Sequence, residues 1–162
     1  MLKNWSNTTL VAYSSLQKIE KSLDFSFFRL VKSGFQSVHL KNGVSTERLI
    51  GEMIKINDEK IKISNLRFIV STTLEQMSLM GKSLILDKIF RKKTFAEIAD
   101  EYHLSLRTTY RRFESALEEY AHKLKAAGYT ESWFEQEYSS VKTIAIIKAQ
   151  FEEDKYLIAK NI

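Results

Sequence analysis

Apolar residues recur three or four positions apart along the N-terminal half of the chain, which is the spacing of amphipathic helices. The first such helix is predicted over 8–23, with an apolar face made of Leu10, Tyr13, Leu16, Ile19 and Leu23. Asp24 and Ser26 then precede a shorter helix, which is predicted to end near Gly34. The segment 41–43, Lys-Asn-Gly, is the clearest loop signal in this half. Two helices are therefore expected before the loop.

Three further helices are predicted between this loop and residue 90. Ser45 is a suitable N-cap for the first of them. Its buried stripe is predicted to consist of Leu49, Ile50, Met53, Ile54 and Ile61. The second is predicted over 64–80, with Gly81 as its C-cap. The third carries the apolar residues Leu84, Ile85, Ile89 and Phe90.

The segment 94–117 has the pattern of two short helices joined by a turn. Thr94 and Glu97 have the T-x-x-E spacing of a capping box, which predicts the start of the first helix. The apolar face of this helix comprises Phe95, Ile98, Ala99 and Tyr102. The pattern predicts a helix-turn-helix in the C-terminal half of an all-α, multi-helix protein.

The second helix of this motif has one apolar and one basic face. His103 interrupts the apolar periodicity, and Ser105 is a good N-cap for a helix over 106–123. The apolar face comprises Thr109, Phe113, Ala116, Leu117 and Tyr120, and the polar face comprises Arg107, Thr108, Arg111 and Ser115. Like charges four residues apart, as at Arg107 and Arg111, destabilise an isolated helix by roughly 0.2–0.5 kcal/mol. The pair therefore indicates an anionic partner.

Composition narrows the class of protein. The chain has no Pro and only five Gly, which favours helices with short connections. The absence of Cys excludes disulfides and thiolate metal sites, and it fits a reducing cytoplasm. No apolar run approaches the length of a membrane span, and the N-terminus does not resemble a signal peptide. We therefore expect a cytoplasmic protein that does not enter the membrane.

The net charge of +5 is unevenly distributed, because 128–162 is acidic and the preceding chain is basic. Basic residues cluster at 91–93 and again within 107–112. This distribution is compatible with a nucleic-acid partner but does not establish one. Gly81-Lys82-Ser83 resembles the end of a P-loop, but the required earlier Gly is replaced by Gln76. With no other nucleophile or metal motif, we expect a non-enzyme without cofactor or metal.

The stretch 83–120 resembles region 4 of sigma-70-type factors, and the wider chain resembles phage late-transcription regulators of the ArpU and RinA kind. The matching segments are LILDKIF, RKKT, FAEIADEYHLS and RTTYRRFESAL. Ala99 stands where the family has a small residue at the helix crossing, and Leu104 is the apolar residue that fills the interior of the turn. The chain departs from the family at His103, where Gly is usual, and at Thr109, where Val or Ile is usual. The resemblance implies sequence-specific binding of double-stranded DNA.

The resemblance also implies roles for individual residues. Arg107 and Arg111 are expected to contact bases, since bidentate Arg to guanine is the commonest specific contact. Further contacts with phosphate or a thymine methyl group are expected from Ser105, Thr108, Tyr110 and Ser115. Phosphate contacts are assigned to Arg91, Lys92, Lys93 and Arg112. Glu114 and Glu118 would repel DNA, so only the first turns of the helix are expected in the groove.

The sequence suggests three functional regions and leaves several functions open. The regions are 1–80, a helical part for interaction or oligomerisation; 81–127, the DNA-binding domain; and 128–162, a helical extension. The alternatives to a regulator are a small sigma factor that binds core RNA polymerase, a phage small terminase subunit, and a helical interaction module that binds no DNA.

Two apolar groups admit more than one interpretation. The last stripe, at Val141, Ile144, Ile147 (or Ala145) and Phe151, is interpreted first as folding back on the N-terminal helices. The alternative is a homodimer contact, because helix-turn-helix proteins often dimerise to place two recognition helices about one DNA turn apart. The aromatic cluster in 25–35 (Phe25, Phe27, Phe28 and Phe35) is interpreted as ordinary core.

Overall fold

The computed structural model describes residues 3–37 and 45–150, and every regular element in these ranges is helical. The expected all-α class is confirmed. The elements are α1 (Lys3–Ser37), α2 (Thr46–Glu75), α3 (Leu79–Ile85), a π-helical turn (Leu86–Phe90), α4 (Phe95–Glu101), α5 (Leu106–Ala126) and α6 (Glu131–Tyr138). Residues 142–150 are also helical. The predicted loop at 41–43 lies outside the described residues.

The first four predicted helices are in fact two long ones. In α1, Ser26 does not cap a new helix: its hydroxyl donates to the carbonyl of Ser22, 2.9 Å away. Asp24 pairs with Lys60 on α2. Likewise, Ser64 lies on the exposed surface of an uninterrupted α2. Without Pro to remove a backbone donor, these polar residues are accommodated on the helix surface and do not end either helix.

The prediction that Gly81 ends a helix is wrong. It lies buried inside α3, where its backbone N–H donates to the hydroxyl of Ser78, 3.2 Å away. A Cβ at this position would lie 2.8 Å from the Glu119 carboxylate and 2.9 Å from the Ser78 hydroxyl. Glycine therefore allows the start of α3 to approach α5 closely.

The chain forms two compact units. Unit 1 comprises Met1–Ser14 and Phe68–Ile162, and unit 2 comprises Ser15–Arg67. The helices α1 and α2 each contribute to both units. The unit boundaries do not coincide with 80/81 or 127/128, and the division of the chain by function stays a prediction.

The core of unit 1 joins the beginning of α1 to the C-terminal helices. The Trp5 ring stacks on Phe134 at 5.7 Å, and the Thr9 hydroxyl is hydrogen-bonded to that of Tyr120 at 3.0 Å. Val141 and Ile144 are buried in the same unit, and the ammonium group of Lys148 lies 4.7 Å from the Trp5 ring centre. The segment that carries the last stripe therefore contacts the start of α1, in line with the first interpretation, although Phe151 lies outside the described residues.

Unit 2 is an antiparallel pair made from parts of α1 and α2. Glu20 pairs with Arg67, and Asp24 with Lys60, so that early residues of α1 face late residues of α2. The buried side chains are Leu16, Ile19, Leu49, Ile63 and Leu66. Each helix covers one face of the other in this unit.

Two apolar groups that were predicted to be buried in unit 2 are exposed. Phe25, Phe28 and Phe35 are 63%, 65% and 73% exposed, so the interpretation as core is wrong for these three, whereas Phe27 is half-buried. On α2, Ile50, Ile54 and Ile61 are 52–56% exposed, and the predicted stripe is buried at Leu49 but not at these positions. A two-helix unit can cover only one face of each helix, and these residues lie away from that face.

No helix among the described residues has the length and apolar character required to cross a bilayer.

Candidate nucleic-acid interface

The predicted capping box at the start of α4 is confirmed. The Thr94 hydroxyl accepts a hydrogen bond from the Glu97 N–H at 3.2 Å, and the Thr94 N–H donates to the Glu97 carboxylate at 2.7 Å. The Thr94 backbone bond lowers the pKa of Glu97 below its usual value, and the hydroxyl contributes in the same direction. Ile98 and Ala99 are buried on the opposite side of α4.

A four-residue turn connects α4 to α5. His103 adopts a left-handed backbone with φ of 52°, in the place where the resembled family has Gly. The Leu104 N–H donates to the carbonyl of Ala99 at 2.8 Å. Ser105 then caps α5, since its hydroxyl accepts from the Thr108 N–H at 3.2 Å. The expected start of α5 at Leu106 is confirmed.

The inner face of α5 is fixed by burial. Thr109, Ala116 and Tyr120 are buried, as the pattern predicted, and the helix continues three residues beyond 123. The hydroxyl of Thr109 donates to the carbonyl of Ser105 at 3.1 Å, so a polar group in a position usual for Val or Ile is satisfied. The register of α5 is therefore set, and with it the direction of its outer face.

Two arginines dominate that outer face. Arg107 and Arg111 are exposed, and neither side chain makes an ion pair or hydrogen bond within the described part of the chain. With Thr108, Tyr110 and Glu114 they line an open hollow of about 340 Å³. Although Glu114 lies in the same hollow, no ion pair forms between it and Arg111 among the described residues.

An aromatic group braces this surface against α4. The Tyr110 ring lies 4.1 Å from that of Phe95, which also contacts Phe113 at 5.3 Å. The ammonium group of Lys88 lies 4.4 Å from the Phe95 ring centre, a cation–π contact. Tyr110 is thus packed on one side while the other stays open to solvent.

Sequence reasoning missed the most connected polar group of this region, the buried carboxylate of Asp87. It accepts hydrogen bonds from the Arg91 guanidinium at 2.8 Å and the Tyr102 hydroxyl at 2.9 Å, and it pairs with Lys93 at 2.9 Å. Burial raises the pKa of Asp87, but the bonds from Lys93, Arg91 and Tyr102 outweigh it and hold the pKa below its usual value. A single acid within the apolar run LILDKIF was the available signal.

The basic cluster at 91–93 is therefore partly structural. Arg91 and Lys93 are tied to Asp87, and Lys93 also pairs with Glu101. Lys92 is exposed with a φ of 59°. The structure does not gather these residues into the hollow that Arg107 and Arg111 line.

The remaining predicted contacts lie on another side of α5. Arg112 and Ser115 are exposed, and they border a second hollow with Ser78, Glu119 and the start of α3. The Ser78 N–H and hydroxyl both donate to Glu119, at 2.7 and 2.8 Å. These bonds tie the start of α3 to α5.

Compared with protein-family models, curated proteins and solved structures, the chain finds no match. The resemblance to sigma region 4 and to phage regulators thus stays a prediction. Among the described residues, no group of three or more His, Asp or Glu side chains is arranged to hold a metal ion.

Proposed function

We propose that this protein is a sequence-specific DNA-binding transcriptional regulator that inserts the first turns of α5 into the major groove. The observation that carries the proposal is the pair Arg107 and Arg111. Both are exposed, they lie about one helical turn apart, and within the described residues they have no ionic partner. We further propose that the two helices of this motif act like region 4 of sigma-70-type factors. The protein is proposed to work in the cytoplasm, without catalytic activity and without a cofactor.

Electrostatics supports an anionic partner for this surface. The two guanidinium groups lie one helical turn apart and repel each other, and among the described residues no carboxylate forms an ion pair with either of them. A DNA duplex would supply both phosphate charge and guanine edges, and each bidentate Arg–guanine contact is worth about 1–3 kcal/mol of discrimination. The fixed register of α5 favours such directional contacts, because the arginine backbones are already in place.

The surrounding residues are assigned supporting roles in this proposal. Ser105, Thr108 and Tyr110 lie beside the two arginines and would contact phosphate or a thymine methyl group. Arg112 and Ser115 would contact the flanking backbone, with Lys92 reaching phosphates from the preceding turn. Arg91 and Lys93 would present to phosphate only the N–H groups that Asp87 and Glu101 leave unused.

The proposal is tested by selecting bound fragments from random and genomic DNA, followed by gel shifts on the selected site over a salt series. We expect affinity to fall steeply with salt, with a slope of about −0.9 per phosphate contact. A palindromic site would indicate a symmetric dimer. No binding even near 50 mM salt would overturn the proposal and favour an interaction module instead.

The same preparation distinguishes the other DNA-related alternatives. Core RNA polymerase that co-purifies and initiates transcription with this protein alone would identify a small sigma factor. Ring-shaped oligomers would identify a small terminase subunit. A regulator would bind its site without either property.

A further inference from the structure

Each helix of unit 2 has a second apolar stripe besides the one that packs against its neighbour. On α1 this outer stripe is formed by Phe25, Phe28 and Phe35, and on α2 by Ile50, Ile54 and Ile61. All six side chains are at least half exposed. Surface hydrophobes scattered singly need no explanation, but two stripes of large side chains on one small unit do.

The two outer stripes lie on opposite sides of unit 2. The covered side of α1 includes Gly34, where a Cβ would lie 3.7 Å from the side chain of Leu49 on α2. At 100° per residue, each outer stripe lies about 160° around its own helix from the stripe that packs on the neighbouring helix. Each outer stripe therefore faces away from the other helix. Unit 2 thus has two separate faces, which we call the α1 face and the α2 face.

The α1 face is basic. Lys21 and Lys32 stand within its stripe, and Arg29 borders it. All three side chains are exposed, and none makes an ion pair within the described residues. The acidic residue at the edge of this face, Asp24, is already paired with Lys60. The α1 face therefore presents uncompensated positive charge around its phenylalanines.

The α2 face is acidic. Glu47 stands within its stripe and Asp58 borders it. Both are exposed, and neither makes an ion pair in the part of the chain that the structure describes. The lysines nearest to this face on α2, Lys55 and Lys62, lie roughly 100° or more around the helix from the centre of the stripe. The α2 face therefore carries the opposite sign to the α1 face.

Both faces have the spacing of a contact between helices. Positions 21, 25, 28, 32 and 35 on α1 advance by alternating three- and four-residue steps, as heptad a and d positions do, and so do positions 47, 50, 54, 57 and 61 on α2. Each run covers about four helical turns. The α1 face of one copy can therefore pack along the whole α2 face of another.

The area of such a contact indicates a weak and reversible interaction. At roughly 150–250 Å² for a whole aromatic side chain and somewhat less for isoleucine, the six apolar side chains that would meet expose on the order of 600 Å² in total. The aliphatic stems of the flanking lysines add to this area. Interfaces below about 1,200 Å² are typical of weak or transient complexes. We therefore expect association that increases with concentration.

We propose that copies of this chain associate head to tail, with the basic α1 face of one copy against the acidic α2 face of the next. The phenylalanines and isoleucines are then buried against each other, among lysines on one side and acidic residues on the other. Each pair keeps one unused face at either end, so the contact is heterologous and repeats. Because the two faces of a copy look to opposite sides, the product is an open row. DNA takes no part in the contact or in its test, so this proposal stands or falls separately from the proposed function.

Sedimentation velocity of the full chain over a wide range of concentration tests the assembly. We expect the weight-average sedimentation coefficient to rise steadily with concentration, without a plateau at the dimer. Leu79→Gln, which removes an exposed apolar side chain from unit 1, should leave this rise unchanged. A monomer at the highest concentration, an assembly that stops at the dimer, or a closed ring of fixed size would overturn the proposal.

Two variants that are each blocked on one face test which surfaces meet. Phe25→Gln with Phe28→Gln blocks the α1 face, and Ile54→Gln with Ile61→Gln blocks the α2 face. All four positions are exposed, and circular dichroism checks that both variants stay helical. Each variant alone is expected to sediment as a monomer. Their equimolar mixture should form a dimer and nothing larger, because only one intact face of each kind is left to meet. If the mixture stays monomeric, or if either variant assembles alone, the pairing of the α1 face with the α2 face is wrong.

Charge reversal tests the electrostatic part of the pairing. Lys21→Glu with Lys32→Glu makes both faces acidic, and Glu47→Lys with Asp58→Lys makes both faces basic. Neither variant should assemble alone, whereas their equimolar mixture should assemble like the wild type, since α1 and α2 faces of opposite sign meet again. A mixture that stays monomeric, or reversed variants that assemble alone like the wild type, would contradict the complementarity of charge.

Discussion

At the scale of single residues, the polar side chains of the α3–α5 region divide into those that stabilise and those that remain available. Asp87 gathers Arg91, Lys93 and Tyr102 around one buried carboxylate. Arg107 and Arg111 have no such partner within the described residues. Substitution should therefore affect folding at the first group and binding at the second.

Arg107→Ala together with Arg111→Ala should abolish sequence preference while the helical content and melting temperature stay unchanged. At about 1–3 kcal/mol per bidentate contact, the affinity for the selected site should fall by roughly 10²-fold or more. Lys125→Ala with Lys142→Ala removes the same charge from exposed positions elsewhere in unit 1, and should cost only a few-fold. Competition gel shifts measure both; equal losses for the two variants would show that these arginines do not contact bases.

Asp87→Asn should destabilise the protein by about 1.5–3 kcal/mol, because hydrogen bonds to a charged group are lost from a buried position. The exposed Asp100→Asn serves as the control and should change stability little. Urea denaturation at neutral pH measures both variants. Equal stability of Asp87→Asn and the wild type would contradict a stabilising role for this carboxylate.

The same carboxylate predicts a pH dependence. Because its folded pKa is lowered, Asp87 contributes stability above the unfolded Asp pKa of about 3.9 and loses that contribution as the pH falls through the folded pKa. The stability difference between wild type and Asp87→Asn should thus be constant near neutrality and shrink below about pH 4. Thermal melts from pH 3 to pH 7 measure it, and a difference that grows on acidification would reverse the assignment.

At the scale of elements, local capping signals located the starts of α4 and α5 correctly but also suggested starts near residues 26 and 64, where the helices continue without a break. Thr94 and Ser105 cap helices as their residue types suggested, since a cap needs only a hydroxyl and a nearby N–H. The continuity of α1 and α2 was missed, because Asp24 and Ser26 are equally suited to a cap and to an exposed helical surface. The use of Gly81 for close packing, too, depends on Glu119, which is distant in sequence.

Gly81 and Gly51 both lie inside helices, and substituting each by Ala tests whether Gly81 is required for the close packing of α3 against α5. Gly81→Ala should destabilise by about 1–3 kcal/mol, because the new Cβ would displace the Ser78 and Glu119 oxygens that are bonded to each other. Gly51→Ala meets nothing within 4 Å and should stabilise α2 by about 0.5–1 kcal/mol. Denaturant unfolding compares the two. A gain at both positions would show that the contact at Gly81 relaxes freely.

At the scale of the whole molecule, sequence patterns predicted the all-α class and the faces of α5, but not which apolar stripes are covered. Periodicity shows that a helix has an apolar face; it does not show whether this chain supplies the cover. The stripe at Ile50 and Ile54 was expected to be buried for that reason, as was the Phe25–Phe35 cluster. The missing information is the number of neighbours of each helix, which is a property of tertiary structure.

The first residues of α1 pack in the core of unit 1, so substituting Trp5 should destabilise that unit. Trp5→Ala should cost about 3–5 kcal/mol, since the ring is buried against Phe134 and its N–H donates to Glu135. Ile146→Ala, half exposed in the same unit, should cost about 1 kcal/mol or less. Guanidinium unfolding curves give both values; similar costs at the two positions would show that residue 5 is not part of the cooperative core.

Unit 1 is assembled from two stretches of chain separated by more than fifty residues, those that form unit 2. During translation, Trp5 and Thr9 leave the ribosome long before Tyr120 and Phe134 exist. The nascent chain can therefore complete the antiparallel pair first, while the surface that bears Arg107 and Arg111 must wait for the final helices. On a ribosome stalled before α6 is made, the Trp5 ring would lack Phe134, the ring on which it stacks in the finished protein.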